Sequence, residues 1–112
     1  MSNLNYYDFM KVDIRVGTIV KAEEYNMLKK PSIILDIYFG NKIGIKKSSA
    51  QLQANYIARD LIHKQVAAVI NFLPKQIGKI ISEVLVLGFP DKQNEPILIS
   101  PDFKIENGGK LY

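Results

Sequence analysis

The sequence predicts an all-β chain, with five or six short strands closed into a small barrel and one helix inserted between the third and fourth. Three observations carry this. Residues 13–23 and 33–39 alternate between apolar and polar, the period-two pattern of half-buried strands. Val66 to Leu73 is apolar on both faces, as a central strand must be. Between Leu73 and Val84 lie Pro74 and Gly78, which oppose the second crossover helix that the main competitor, a ferredoxin-like sandwich, requires.

Taken in chain order, Ile14, Val16, Thr18, Val20 and Ala22 share one face of the first strand, and Asp13, Arg15, Lys21 and Glu23 the other. Tyr25 to Pro31 reads as a turn or loop. Ile33, Leu35, Ile37 and Phe39 alternate next, and Ile43 and Ile45 follow Gly40-Asn41. A three-residue loop, Gly40-Asn41-Lys42, pairs Phe39 with Ile43 and Ile37 with Ile45. It sets Asp36 opposite Lys46, and a slip of one residue would turn Ile43 and Ile45 to the wrong face. Ser48 with Gln51 matches a capping box, so a helix is expected from there to about Asp60, with Leu52, Tyr56, Ile57 and Leu61 as its apolar stripe. Val66–Leu73, Val84–Leu87 and Ile97–Ser100 complete the strands, the last after a loop holding Pro90, Asp91, Asn94 and Pro96. Pro101 to Tyr112 is a turn-rich tail. Strands closing on themselves around an inserted helix make a five-stranded barrel of the OB type, with N- and C-terminal extensions.

A chain of 112 residues suits one domain, residues 1–112, and can bury roughly 65% of its unfolded surface. It has no cysteine, so disulfides, a thiol nucleophile and cysteine-bound zinc are excluded. The start, MSNLNYYDFMKVDIR, has no apolar core behind basic residues, and no apolar run nears the roughly 18 residues of a membrane span. The expectation is a soluble, cytoplasmic protein without membrane insertion.

Net charge is +4, unevenly spread. Lys42 to Lys79 holds seven basic residues against one acid, a net +6. The remainder holds eight against ten, a net −2. Such asymmetry is a cue for an anionic partner, and equally the mark of a lysine-rich solvated face.

Enzyme chemistry finds little footing. The only histidine, His63, stands beside Lys64 in the loop leaving the helix, and the carboxylates are scattered. There is no G-x-S-x-G elbow, no G-x-G-x-x-G and no P-loop. No catalytic residue, metal ligand or cofactor is assigned.

Binding chemistry is better supplied. Lys46 and Lys47 immediately before a helix N-terminus conflict with its partial positive charge, and an anion there relieves the conflict. Helix N–H groups, the hydroxyls of Ser48 and Ser49 and the two ammoniums would then form a phosphate site. The plainer alternative has Ser48 serving only as a cap and Lys46 pairing with Asp36. Asn71 interrupts an apolar strand on the face of Ala67 and Val69, so it bonds the following loop or presents its amide at a groove. Lys75 and Lys79 project from the connection Pro74–Ser82, among Ile77, Ile80 and Ile81. Those isoleucines either plug the barrel or meet a partner.

Five motifs in order, Asp13-Ile14-Arg15-Val16-Gly17-Thr18-Ile19, Ile45-Lys46-Lys47-Ser48-Ser49-Ala50-Gln51, Lys64-Gln65-Val66, Val69-Ile70-Asn71-Phe72 and Ser82-Glu83-Val84-Leu85-Val86-Leu87-Gly88, resemble the tRNA-binding-domain family, and within it the CsaA-type secretion chaperones. The resemblance runs from about Phe9 to Gly109. It implies an OB-fold homodimer, with terminal segments of about 1–11 and 101–112 at the interface, and a binding surface in place of an active site. It implies tRNA and unfolded or precursor polypeptides as partners, with Lys46, Lys47, Ser48, Ser49, Asn71, Lys75, Lys79 and Ser82 as RNA-binding candidates; the position of a peptide groove stays unassigned. Where tRNA-binding members read S-x-G-M, this chain has Ser82-Glu83-Val84-Leu85, which keeps the Ser, lacks the Gly and Met, and matches the S-E-V-L of CsaA-type members.

Overall fold

The computed structural model describes residues 2–112. In order the chain forms α1 (Tyr6–Met10), β1 (Ile14–Tyr25), β2 (Ser32–Tyr38), β3 (Ile45–Ala50), α2 (Ala58–Leu61), β4 (Gln65–Val69), β5 (Lys75–Ile77), β6 (Ile80–Ser82), β7 (Leu85–Val86), β8 (Gly88–Pro90) and β9 (Pro96–Leu98). Five of these make one antiparallel sheet in the order β3-β2-β1-β4-β7, while β5–β6 and β8–β9 form two small hairpins. This is the expected curled OB-type sheet, with its helix between the third and fourth strands.

β1 serves two sides of the curl. Ile14–Thr18 pairs with β4, and Thr18–Tyr25 pairs with β2 across a bulge between Ile19 and Lys21. A bulge adds one residue and sharpens the local twist, which lets a single strand bend around a barrel. It also corrects the face assignment. The residues turned to the core are Gly17 and Ile19 before the bulge and Ala22 after it; Ile19 is fully buried opposite Ile37 and Val20 is exposed. A Cβ on Gly17 would lie 2.7 Å from both Ile37 Cγ2 and the Phe39 ring, so this position is packed to its limit.

The β2–β3 hairpin also departs from the expected register. The pairs are Tyr38 with Ile45, Ile37 with Lys46 and Asp36 with Lys47. The turn is longer by one residue, closed by the Phe39 N–H to the Gly44 carbonyl at 2.9 Å. Gly40 and Gly44 both sit at positive φ (91° and 79°), backbone that glycine adopts without penalty. Ile43 therefore packs against the core from within the loop, and Ile45, rather than facing the core, is exposed.

The helix is shorter and later than the capping box implied. Ser48, Ser49 and Ala50 continue β3, and α2 spans only Ala58–Leu61. Leu52 and Leu61 are buried and Tyr56 packs on the core, but Ile57 is exposed. Here sheet pairing along Leu35–Ser48 and Ile33–Ala50 overrides a local helix-start signal. The fourth strand is trimmed too. β4 ends at Val69, so Asn71 is exposed rather than buried, and Phe72 and Leu73 stand out in solvent. The last core strand is divided at Leu87 between β7 and β8.

Ile19, Ile33, Leu35, Ile37, Phe39, Leu52, Leu61 and Val66 form the centre of the core, each worth about 1.5–3 kcal/mol of burial. The tail belongs to the fold. Gly108 N–H donates to the Val16 carbonyl (2.8 Å), Val16 N–H to Gly109 (3.2 Å) and Leu111 N–H to Ile14 (2.8 Å), giving the first half of β1 a second neighbour. The Gln65 side chain anchors it, donating to the Ile105 carbonyl at 2.6 Å and accepting the Ile105 N–H at 3.0 Å.

Candidate nucleic-acid interface

The barrel closes along the free edge of β3, and side chains do much of the closing. The Lys47 carbonyl accepts the N–H groups of Glu83 (2.7 Å) and Val84 (3.3 Å). The Lys47 N–H donates back to Glu83 Oε1 at 3.0 Å, and the Ser49 N–H donates to Ser82 Oγ at 3.1 Å. Ser82 Oγ in turn donates to the Val84 carbonyl at 3.4 Å. The Ser82-Glu83-Val84 motif is thus the clasp of the barrel, a role hidden from the sequence because its partners lie more than thirty residues away.

Strand alternation sends the two adjacent lysines to opposite faces. Lys46 lies opposite Ile37 on the inner side, with its ammonium 3.9 Å from Glu83 Oε2. Lys47 lies on the outer side and donates to Asp36 Oδ1 at 2.7 Å, so Asp36 pairs with Lys47 and not, as the shorter loop required, with Lys46. Lys21 is also directly opposite Asp36, from the β1 side. Lys21, Asp36 and Lys47 therefore form a row across β1, β2 and β3. The Lys21 ammonium holds its proton above the usual lysine range, chiefly through its hydrogen bond to Glu23 and that carboxylate's charge, with a smaller contribution from Asp36.

Of the remaining candidates, Ser48 points into the core, fully buried, and its hydroxyl has no hydrogen-bond partner among the described residues. The anion site imagined at a helix start does not form, because Ser48 and Ser49 are strand residues. Asn71 has its amide engaged: Oδ1 accepts the Asp13 N–H at 3.0 Å and Nδ2 donates to the Lys11 carbonyl at 2.7 Å, pinning the entry to β1. Ser49, Lys75 and Ser82 do come together. With Phe72, Leu73 and Ile77 they line an open groove of about 380 Å³. The connection Pro74–Ser82 is itself a β-hairpin, Lys75 facing Ser82 and Ile77 facing Ile80, with Lys79 exposed at its turn. At its tip a Cβ on Gly78 would lie 3.0 Å from Leu28 and 3.3 Å from the Tyr25 hydroxyl, so the hairpin reaches the start of the β1–β2 loop.

The outer face of β2–β3 is thus bounded by the β1–β2 loop and the β5–β6 hairpin, the arrangement by which OB barrels receive extended ligands. Sequence reading missed Lys21 and Asp36 as members of this face. Their alternation was visible, but the bulge that aligns them was not.

A second concavity of about 370 Å³, walled by Ile14, Val16, Ile99, Ile105, Leu111 and Tyr112, is almost wholly apolar. Near the other terminus, α1 buries none of its residues and exposes Tyr6 and Tyr7. Among the described residues no three His, Cys, Asp or Glu side chains gather as metal ligands, and no helix is long and apolar enough to cross a membrane. His63 stands at a positive-φ position after α2 and donates its backbone N–H to Ile19 at 2.8 Å.

Comparison with known proteins agrees with this geometry. Residues 14–110 match the family described as "Putative tRNA binding domain". Among solved structures, the chaperone CsaA from Bacillus anthracis str. Ames is 40% identical with a TM-score of 0.93, covering 99% of this chain and 100% of that one. The CsaA chaperone protein from Picrophilus torridus is 46% identical with a TM-score of 0.90, covering 98% and 100%. The methionine–tRNA ligase of Nanoarchaeum equitans is 35% identical over 108 residues, covering 96% of this chain but 13% of the ligase. The chain spans 16% or less of the length of the methionine–tRNA ligases it matches. A family match over nearly the whole chain, on an OB-type barrel, identifies the chain as a member of the tRNA-binding-domain family.

Proposed function

We propose that this protein is a non-enzymatic, cytoplasmic homodimer of the CsaA type that binds tRNA and holds unfolded or precursor polypeptides on the secretion route. The observation that carries the reading is the pairing of a tRNA-binding family match with near-complete superposition on two CsaA chaperones. On this reading tRNA lies over the outer β2–β3 face and the β5–β6 hairpin. Lys47, Lys75 and Lys79 meet phosphates, Ser49 hydrogen-bonds at the groove, and Lys46, Ser48, Asn71 and Ser82 support the face from behind or beside it. Phosphate contacts of this kind give affinity that falls steeply with salt. A polypeptide would bind through apolar side chains and respond less to salt. The second copy covers the apolar concavity at Leu111 and Tyr112, and residues 1–11 and 101–112 contribute to that interface within a single 1–112 domain.

One experiment tests the three parts together. Binding of total tRNA and of an unfolded polypeptide is titrated with salt for the native chain and for Lys47→Glu/Lys75→Glu, with the mass followed by light scattering. The expected result is a dimer whose tRNA affinity falls at least tenfold in the double variant while polypeptide binding stays within about twofold. If tRNA binds and the polypeptide does not, the protein is a dedicated structure-specific tRNA-binding protein. A micromolar monomer removes the dimer.

A further inference from the structure

We infer that Asp36 is the residue that sets how strongly, and how selectively, the outer face takes a polyanion. It lies between two lysines in cross-strand register, pairs directly with one of them, Lys47, and competes with any phosphate placed there. The inference rests on the tRNA reading of that face.

The geometry is specific. Asp36 is the middle member of the row Lys21–Asp36–Lys47, in direct cross-strand register with both cations. Its carboxylate accepts from Lys47 at 2.7 Å, and both side chains are partly withdrawn from solvent, 23% and 38% exposed. Paired side chains directly opposite in a sheet interact most strongly of all sheet neighbours. A carboxylate and a phosphate oxygen ask the same thing of an ammonium, so a phosphate arriving at Lys47 must displace Asp36 or share the lysine with it. Lys21 is similarly held, at 3.1 Å from Glu23 Oε1. In the resting protein the two cations nearest the centre of the face are therefore already answered, while Lys75 and Lys79 stand exposed on the hairpin at its border and make no ion pair among the described residues. Weak ligands with isolated charges gain nothing at the centre. A backbone with several phosphates first engages the hairpin lysines and then opens the Asp36–Lys47 pair. The consequence is discrimination by charge density: long structured RNA over single anions or modestly acidic peptides.

The test is a cycle of variants read by salt titration with total tRNA. Asp36→Asn keeps a hydrogen-bond acceptor and removes the charge. It is expected to tighten tRNA binding about fivefold at 0.1 M salt and to steepen the logarithmic salt dependence by about one. Lys47→Gln is expected to weaken binding about threefold in the native background, where it loses a phosphate contact and leaves Asp36 unpaired, and to remove most of the gain in the Asp36→Asn background. Asp60→Asn, which changes net charge equally at an exposed position on α2, away from the proposed tRNA face and dimer interface, is expected to stay within about twofold. Asp36→Thr, suited to a strand, replaces Asp36→Asn if that variant does not fold. The inference is overturned if Asp36→Asn leaves affinity and slope unchanged while Lys47→Glu still weakens binding, in which case the tRNA face itself stands. It is overturned likewise if Asp60→Asn gains as much. If neither the native chain nor any variant binds tRNA at low salt, the face and the inference fall together.

Discussion

The two halves of this barrel are built by different means. From β1 to β3 the strands run in long backbone ladders broken by one bulge after Ile19, and the inward side chains of Ile19, Ile33, Leu35 and Ile37 are wholly withdrawn from water. From β4 to β7 the chain leaves the sheet after Val69, makes a small hairpin, and returns through a clasp of a few hydrogen bonds on Lys47 and Ser49. The first half holds the lysine row in fixed register. The second carries Lys75 and Lys79 on an arm that touches the body at its tip and at its base. Ladders resist opening because breaking one bond strains its neighbours, whereas a clasp of a few bonds opens locally at much lower free energy. A binding surface that joins the two gains a rigid floor and an adjustable rim.

The sharpest way to break the comparison is a pair of truncations. Leu35→Ala, in the ladder half, is expected to cost about 2–5 kcal/mol of unfolding free energy, while Ile81→Ala, exposed on the hairpin, stays within about 0.5 kcal/mol. Denaturant titration measures both, and equal costs would mean the hairpin is as much core as the meander. Next in size is a pair with identical chemistry and opposite sign. Ser82→Ala removes the acceptor for the Ser49 N–H and should cost about 1–2 kcal/mol, with faster amide exchange confined to residues 75–83. Ser48→Ala removes a buried hydroxyl that has no partner among the described residues and should leave stability unchanged or raise it by up to about 1 kcal/mol. A loss at Ser48 as large as at Ser82 would show that its hydroxyl is satisfied in solution. The smallest effect lies in the turn between β8 and β9. Asp91 titrates below its ordinary 3.8, first because Asn55 donates to it and then because the Glu95 N–H does. A depressed folded value means the turn gains stability above pH 3.8 and loses it as pH falls through the lower, folded value. Asn55→Ala should move the Asp91 carboxyl titration, followed by NMR, upward toward 3.8; an unmoved curve would assign the shift to the backbone donors alone.

Period-two alternation along 13–23 and 33–39, and Pro74 with Gly78 in the later connection, were enough to name the fold class, because burial on one side of a sheet leaves that pattern in any chain that forms one. Much of the candidate site was legible as composition: a lysine-rich middle segment, with Lys47 and Lys75 in it. Which face each lysine occupies was not. That depends on a bulge after Ile19, one extra residue before Gly44, and strand pairing that carries Ser48 into the core in place of a helix cap. Side chains in a strand alternate, so a single residue of slip exchanges every inside position for an outside one, and only the packing of distant residues selects the register. The sequence by itself determined that strands would close around an apolar centre with cations outside it. The tertiary structure decided that Lys47 meets Asp36, that Ser82 and Glu83 clasp β3, and that the tail completes β1, because each of these is a contact between segments whose separation along the chain leaves no local trace.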